Sequence, residues 1–417
     1  MAVLPPASDL NLSDLGSVSA LAESRGVREC LQFFVREKQW INEQHLALCR
    51  IPAPTFLEQK RAEWIAQQFR AIGCEAKIDR AGNVVAPLRS ERESHLVALT
   101  AHLDTVLAPR NPEDIRVEPG GSFHGPGVSD NGAGLSALLA IARGMKSAPL
   151  IDGWGGGLVF IANVGEEGEG NLSGMRHLCR QSPLGQKIRS FVILDGPALE
   201  HITSEALASR RFEVACTGPG GHSWSDYGVG NPVHALSRAV ALFAENRAGA
   251  PSSPRSSFNF GVIEGGSSIN SIPTVARAKV DLRSERAEAI DDMAALLAAA
   301  VERAIDVENS RAAGGRVSAK IREIGSRPGG RLPEDAPILH YIRAVDAHMG
   351  IRSHLDCAST DANIPLSLGI PAISIGAGGS GGGAHTPGEW FHPEGREIGL
   401  KRIVLMLCLL LRSLNRK

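Results

Sequence analysis

The sequence predicts an α/β protein: a mainly parallel sheet with helices on both faces, interrupted by a smaller inserted unit. Three observations carry this. Apolar runs at 95–102, 158–164 and 191–194 are short and continuous, the pattern of strands buried on both faces. Helical spacing at 133–146 and 174–181 falls between them, so strand and helix alternate. From about residue 208 the order becomes βαββαβ, the ferredoxin-like pattern. At 417 residues the chain has room for two domains. We assign 1–207 and 326–417 to the first and 208–325 to the insertion.

The elements follow in order. Residues 1 to about 25, with their Pro and Ser, suggest a loose start or a short helix. Helical spacing runs from Val27 to about Arg50, where Pro52 and Pro54 break it. Thr55 and Glu58 form a capping-box pattern for a second helix, with Leu57, Trp64, Ile65, Phe69 and Ile72 on one face. Ala81-Gly82-Asn83 reads as a turn between short strands. In the insertion, strands are expected at 210–216, 257–263, 275–283 and 316–324. Its helices span 232–247, capped by Asn231 with Pro first, and about 285–309. Gly325 to Gly330 reads as the return linker. A helix at 337–349, a short strand at 371–375, a glycine-rich run and a C-terminal helix complete the chain.

Composition narrows the function. The hydrophobic fraction of 43% and charged fraction of 21% are those of a soluble globular protein. Lys+Arg 44 against Asp+Glu 45 gives a net charge of -1, so neither nucleic acid nor a membrane is the expected partner. The seven cysteines include no Cys-x-x-Cys pair, which points to reduced, buried thiols in a cytoplasmic protein. No signal peptide is evident at the N-terminus, and the apolar stretch Ile403 to Leu411 is too short to span a bilayer.

The chemistry starts at His102-Leu103-Asp104, at the end of the apolar run 96–100. Residues two apart on a strand lie on one side of the chain, so His102 could hold a metal while Asp104 orients its ring. Taken alone, the triplet is also what a polar turn at a strand end looks like. Asp130, Glu166, Glu167, Asp195 and His385 share its setting, at strand ends or in glycine-rich loops. In open α/β sheets chemistry gathers at the carboxyl ends of strands. Imidazoles and carboxylates without thiolates suit zinc, manganese or cobalt. Two His and three carboxylates hold two ions, ~3.5–4 Å apart, if one carboxylate bridges. One further carboxylate then stays free as a base, and adjacent Glu166 and Glu167 can divide those tasks.

These segments resemble the co-catalytic di-zinc aminoacylase and carboxypeptidase family. It includes peptidase T, carboxypeptidase G, acetylornithine deacetylase and succinyl-diaminopimelate desuccinylase. His102-Leu103-Asp104, Gly127-Val128-Ser129-Asp130-Asn131-Gly132, Glu166-Glu167, Asp195-Gly196 and Ala384-His385 lie in family order, over about residues 30 to 412. The resemblance implies a zinc-exopeptidase-like fold with two divalent ions, zinc first, cobalt or manganese as substitutes. It implies that His102 and Asp195 bind one ion and Glu167 and His385 the other. Asp130 would bridge them and precede a cis bond, Asp104 would orient His102, and Glu166 would be the general base. The insertion would be a lid that forms a homodimer. On it, His222 would stabilise the oxyanion across the dimer, Asn270 would bind substrate, and Arg283 a substrate carboxylate. Without the resemblance these three read as a turn His, a turn Asn and a surface Arg.

Two departures stand out: Asn131 where many relatives have Asp, and Ala358-Ser359-Thr360-Asp361 where many have glycines. The other histidines, His354 and His392 among them, match no ligand position and read as structural or surface residues. The expected activity is hydrolysis of an amide bond in small peptides, of the di- or tripeptidase type. The stretch Gly165 to Arg176 is more like peptidase T. An N-acyl-amino-acid deacylase is the alternative, with a non-catalytic binding protein behind it. A two-metal phosphoesterase lacks its phosphate-cradling loop.

Overall fold

The computed structural model describes residues 12–88, 95–148, 155–245 and 255–414, with backbone only for 12–16. It divides into two compact units, Met1–Ala206 with Arg331–Lys417, and Leu207–Gly330. Two expectations fall partly outside the described residues: the loose start over 1–11 and the helix end at Arg247.

The first unit is built on a mixed sheet. Its middle is parallel: Gly157–Asn163, Leu96–His102, Ile188–Leu194 and Ala372–Ile375 lie side by side in that order. The three longer strands are buried almost throughout, which explains their unbroken apolar runs. Antiparallel strands flank this centre, Val84–Pro87 beside Gly157–Asn163 and His201–Ala206 beside Ala372–Ile375. His354–Ala358 then pairs in parallel with His201–Ala206. Helix Gly132–Ser147 is buried along most of its length. The apolar C-terminal stretch lies in helix Arg396–Ser413, also in the core. There Arg402 forms a two-pronged ion pair with Asp346, both bonds 2.6 Å. Among the described residues no helix is long and apolar enough to cross a membrane.

Three expectations about elements are corrected. The helix expected over 27–50 is two helices, Arg25–Arg36 and Lys38–Cys49, because the backbone of Glu37 leaves the helical range. Both pack on Gly132–Ser147, and the first packs on the C-terminal helix as well. Thr55 and Glu58 do not cap the next helix, which starts at Gln59, since their side chains are used elsewhere. Residues 325–327 are strand rather than linker, because a bulge at Glu323/Gly325 absorbs one residue and pairing with Ser209–Arg211 continues.

The second unit has four antiparallel strands, ordered Ser256–Gly265, Val275–Ser284, Ala208–Thr217 and Ser318–Arg327. Helices Pro232–Glu245 and Ala287–Arg311 pack on it and on each other. Along Val275–Ser284 every second residue is buried, from Ala276 to Ser284, as a sheet with one covered face requires. Asn231 accepts the Val233 amide at 2.9 Å, capping the helix that begins at Pro232.

Candidate metal centre

Five separate stretches of the first unit meet at the carboxyl ends of its parallel strands. Strand Leu96–His102 delivers His102, and Asp104 follows two residues on, both buried. Asp130 sits just before helix Gly132–Ser147 and is joined to Asn131 by a cis peptide bond. Glu166 and Glu167 follow strand Gly157–Asn163 and are buried. The turn before them needs Gly165, whose φ is 65° and whose Cβ would stand 2.1 Å from Ser173 Oγ. Asp195 ends strand Ile188–Leu194. His385 comes from the glycine-rich loop, with a left-handed φ of 65° and a half-exposed ring.

Asp130 lies at the middle. Its Oδ1 is 3.0 Å from His102 Nε2, and its Oδ2 is 3.1 Å from His385 Nε2. His385 Nε2 also meets Glu167 Oε1 at 2.8 Å, and His102 Nε2 lies 3.9 Å from Asp195 Oδ1. Each oxygen of one carboxylate thus faces a different imidazole, and each imidazole has a further carboxylate beside it. One ligand atom from each of His102, Asp130 and Glu167 lies within 4.8 Å of the others.

The groups perturb one another strongly. Burial, reinforced by the neighbouring Asp130 charge, pushes the Asp195 carboxyl up to about 7. Hydrogen bonds to Asp130 and Glu167 hold His385 up to about 10. Burial opposes the charge on His102, but its hydrogen bonds to Asp104 and Asp130 outweigh it and raise its pKa. Burial also opposes ionisation of Asp130, yet the two imidazoles hold it well below the carboxylate range. Several acidic groups are thus crowded out of water beside two imidazoles whose pKa values they raise. A divalent cation fits such a donor set, since imidazole with carboxylate suits zinc, cobalt or manganese.

The hydrogen bonds of Asp104 were not apparent from the sequence. His102 Nδ1 is 2.9 Å from the Asp104 main-chain carbonyl and 3.6 Å from its carboxylate. That carboxylate accepts the amides of Glu166 and Glu167 at 3.0 and 2.9 Å, and the Thr55 hydroxyl at 2.9 Å. It therefore fixes the Glu pair as well as standing behind the imidazole. Glu58 accepts the Gly165 amide at 3.1 Å and pins the same turn. Glu389 accepts the amides of Gly127, Ser129 and Asp130 at 2.7, 2.8 and 2.8 Å, cradling the Asp130 loop. Asn131 is no ligand: it donates to Leu194 O at 2.8 Å and accepts the Gly134 amide, capping the helix. His45 is structural, accepting from Arg396 and donating to Val128 O, both at 2.7 Å, and burial keeps it neutral.

The other three expected site residues lie in the second unit. His222 pairs with Ser271 in a two-residue ribbon, which brings the His222 and Asn270 loops together. Both residues are exposed. His222 Nδ1 accepts the Trp224 amide at 3.2 Å. Arg283 lies elsewhere, eight positions along the strand from Val275, the end nearest that ribbon, or ~25 Å in extended chain. It donates to Asp281 at 2.7 Å.

The family model of peptidase family M20/M25/M40 matches residues 98–409. The chain belongs to this family. It is accordingly a hydrolase of the metallopeptidase and amidohydrolase class, as expected from the motifs. Among the family's relatives, it is 24% identical over 358 residues to uncharacterized protein YqjE of Bacillus subtilis (strain 168), 82% of this chain and 91% of that one. Its fold is similar to a tripeptidase from Staphylococcus aureus, with 20% identity, a TM-score of 0.71, and 91% and 99% of the two chains covered. It is also similar to Bacillus subtilis YxeP, described as a dinuclear metal binding M20 peptidase, with 16% identity, a TM-score of 0.63, and 92% and 99% covered. These likenesses bear out the α/β fold with its inserted domain.

Proposed function

We propose that the chain is a two-metal exopeptidase that cleaves an amide bond in small peptides, of the di- or tripeptidase type. The observation that carries this reading is the pair of Asp130 oxygens, each facing a different imidazole. On this reading His102 and Asp195 hold one ion, Glu167 and His385 the other, and Asp130 bridges. Bound there, the ions would polarise the scissile carbonyl and acidify water. Zinc is our choice, with cobalt or manganese as substitutes. Glu166 takes the proton of the attacking water and returns it to the leaving amine. Asp104 keeps Glu166 in place through its amide and supports the His102 ring. In the inserted unit, taken as lid and homodimer contact, His222 donates to the oxyanion, Asn270 holds the substrate backbone and Arg283 its carboxylate. The buried free cysteines fit a reducing cytoplasm; burial pushes Cys49 up to about 12, which leaves it inert.

The stretch Gly165 to Arg176, which is more like peptidase T, favours the peptidase over the deacylase reading. The test is Glu166→Gln on the zinc-loaded protein, against dipeptides, tripeptides and N-acyl amino acids. Turnover should fall by about 10²–10⁴-fold with metal content unchanged. Wild-type turnover in the variant would remove Glu166 as the base. Hydrolysis of the N-acyl amino acids alone would replace exopeptidase by deacylase.

A further inference from the structure

The first unit carries another group of metal-ligating side chains, none of them used above. Strands His201–Ala206 and His354–Ala358 run in parallel with His354 opposite His201 and Asp356 opposite Thr203. Residues two apart on a strand share a face, so these four side chains form one patch. His201 Nδ1 lies 2.8 Å from Asp356 Oδ2. The two imidazoles meet edge to face, with ring centres 4.5 Å apart. Thr203 donates its hydroxyl to the other Asp356 oxygen at 2.8 Å, fixing the carboxylate. One ligand atom from each of His201, His354 and Asp356 lies within 4.8 Å of the others. His354 Nε2 is buried and has no hydrogen-bond partner among the described residues. A buried polar atom in that position needs a ligand, a water or another hydrogen-bonding group brought to it.

We propose that His201, His354 and Asp356 form a separate divalent-metal site, with water completing the shell. Two imidazoles and a carboxylate select a borderline ion such as Zn2+, Co2+, Ni2+ or Cu2+ over Mg2+ or Ca2+. Ligand bonds of about 2.0–2.2 Å hold ligand atoms roughly 3–4 Å apart, within reach of small side-chain rotations here. Thr203 stands behind the carboxylate, as outer partners of metal ligands do. The site would clasp two neighbouring strands. The second leads through Ser359 and Thr360 to buried Asp361, which accepts the Asn163 amide at 2.6 Å next to the strand end that precedes Glu166. A bound ion would therefore tether the start of a segment that reaches the centre.

The experiment titrates chelator-stripped protein with Co2+ near neutral pH. It reads bound metal per chain by elemental analysis and the ligand field by visible absorption. Wild type is compared with His201→Ala, His354→Ala and Asp356→Asn, and with His102→Ala as the variant of the other centre. Each of the first three should bind one Co2+ fewer than wild type and keep the His102-dependent absorption. His102→Ala should keep the equivalent the others lose. His201 is exposed, so that variant tests the site even if His354→Ala folds poorly. Equal stoichiometry in wild type and all three variants overturns the proposal. It would leave the patch as a hydrogen bond and a ring contact between strands.

Discussion

The two units hold their candidate residues in opposite ways. In the first, His102, Asp104, Glu166 and Glu167 are buried, and Asp104 alone accepts three hydrogen bonds. In the second, His222 and Asn270 are exposed, and their side-chain hydrogen bonds are to their own loops. Buried polar groups must be satisfied when the chain folds, before any ligand arrives. Their geometry is fixed in advance, and each depends on its neighbours. Exposed groups add little to folding and act only on what reaches them. Loss of a proposed ligand or of its support in the first unit should thus appear in metal content and stability, and damage in the second in kinetics alone.

The largest test of that contrast is His102→Ala. It should weaken metal binding by at least about 100-fold and abolish activity, read by metal content after gel filtration. Full retention of both ions would show that the buried set is not interdependent. Glu389→Gln comes next, although Glu389 touches no proposed ligand except through the Asp130 amide. Its loss of charge against three amides should cost about 2–3 kcal/mol in urea unfolding. An unchanged midpoint would mean that the Asp130 loop holds itself.

A pH test follows from the perturbed groups. Asp195, at about 7 against an ordinary 3.8, keeps a proton that the unfolded chain has released. His385, at about 10 against 6.5, does the same at higher pH. Stability from Asp195 is therefore lost between about pH 4 and 7, and from His385 between about 6.5 and 10, in metal-stripped protein. Metal competes with those protons. The rise in Tm on adding zinc should grow from about pH 5 to about pH 8, and a rise that shrinks would reverse the assignment. The smallest stability effects belong to the second unit. His222→Ala should leave Tm and metal content alone, shifting stability by under ~0.5 kcal/mol, while kcat drops by roughly 10²-fold. Arg283→Ala removes only a half-exposed ion pair with Asp281, worth under ~1 kcal/mol. A raised KM for substrates with a free carboxylate would bring it into the site.

The strand-end residues of the first unit were legible because each marks a change of pattern, from an apolar run to a polar residue. The βαββαβ order was legible through its alternating periods. Thr55, Glu58 and Glu389 were not. Thr55 reaches Asp104 49 positions away, and Glu389 reaches Asp130 across 259, and no periodicity records such pairs. Thr55 and Glu58 even carried a misleading local signal, a capping box four residues long. The continuation of the strand past Glu323 was hidden by a bulge and by glycines that look like a linker.

One short loop holds both His385, which meets Asp130 directly, and Glu389, which holds the Asp130 loop in place. A ribosome must therefore add 255 residues after Asp130 before its second imidazole partner exists, and four more before its cradle does. A nascent chain still short of that loop carries most of the ligands and none of the finished geometry. On the proposed assignment, hydrolytic competence arrives late in synthesis, when the strands that carry the other proposed ligands are already made.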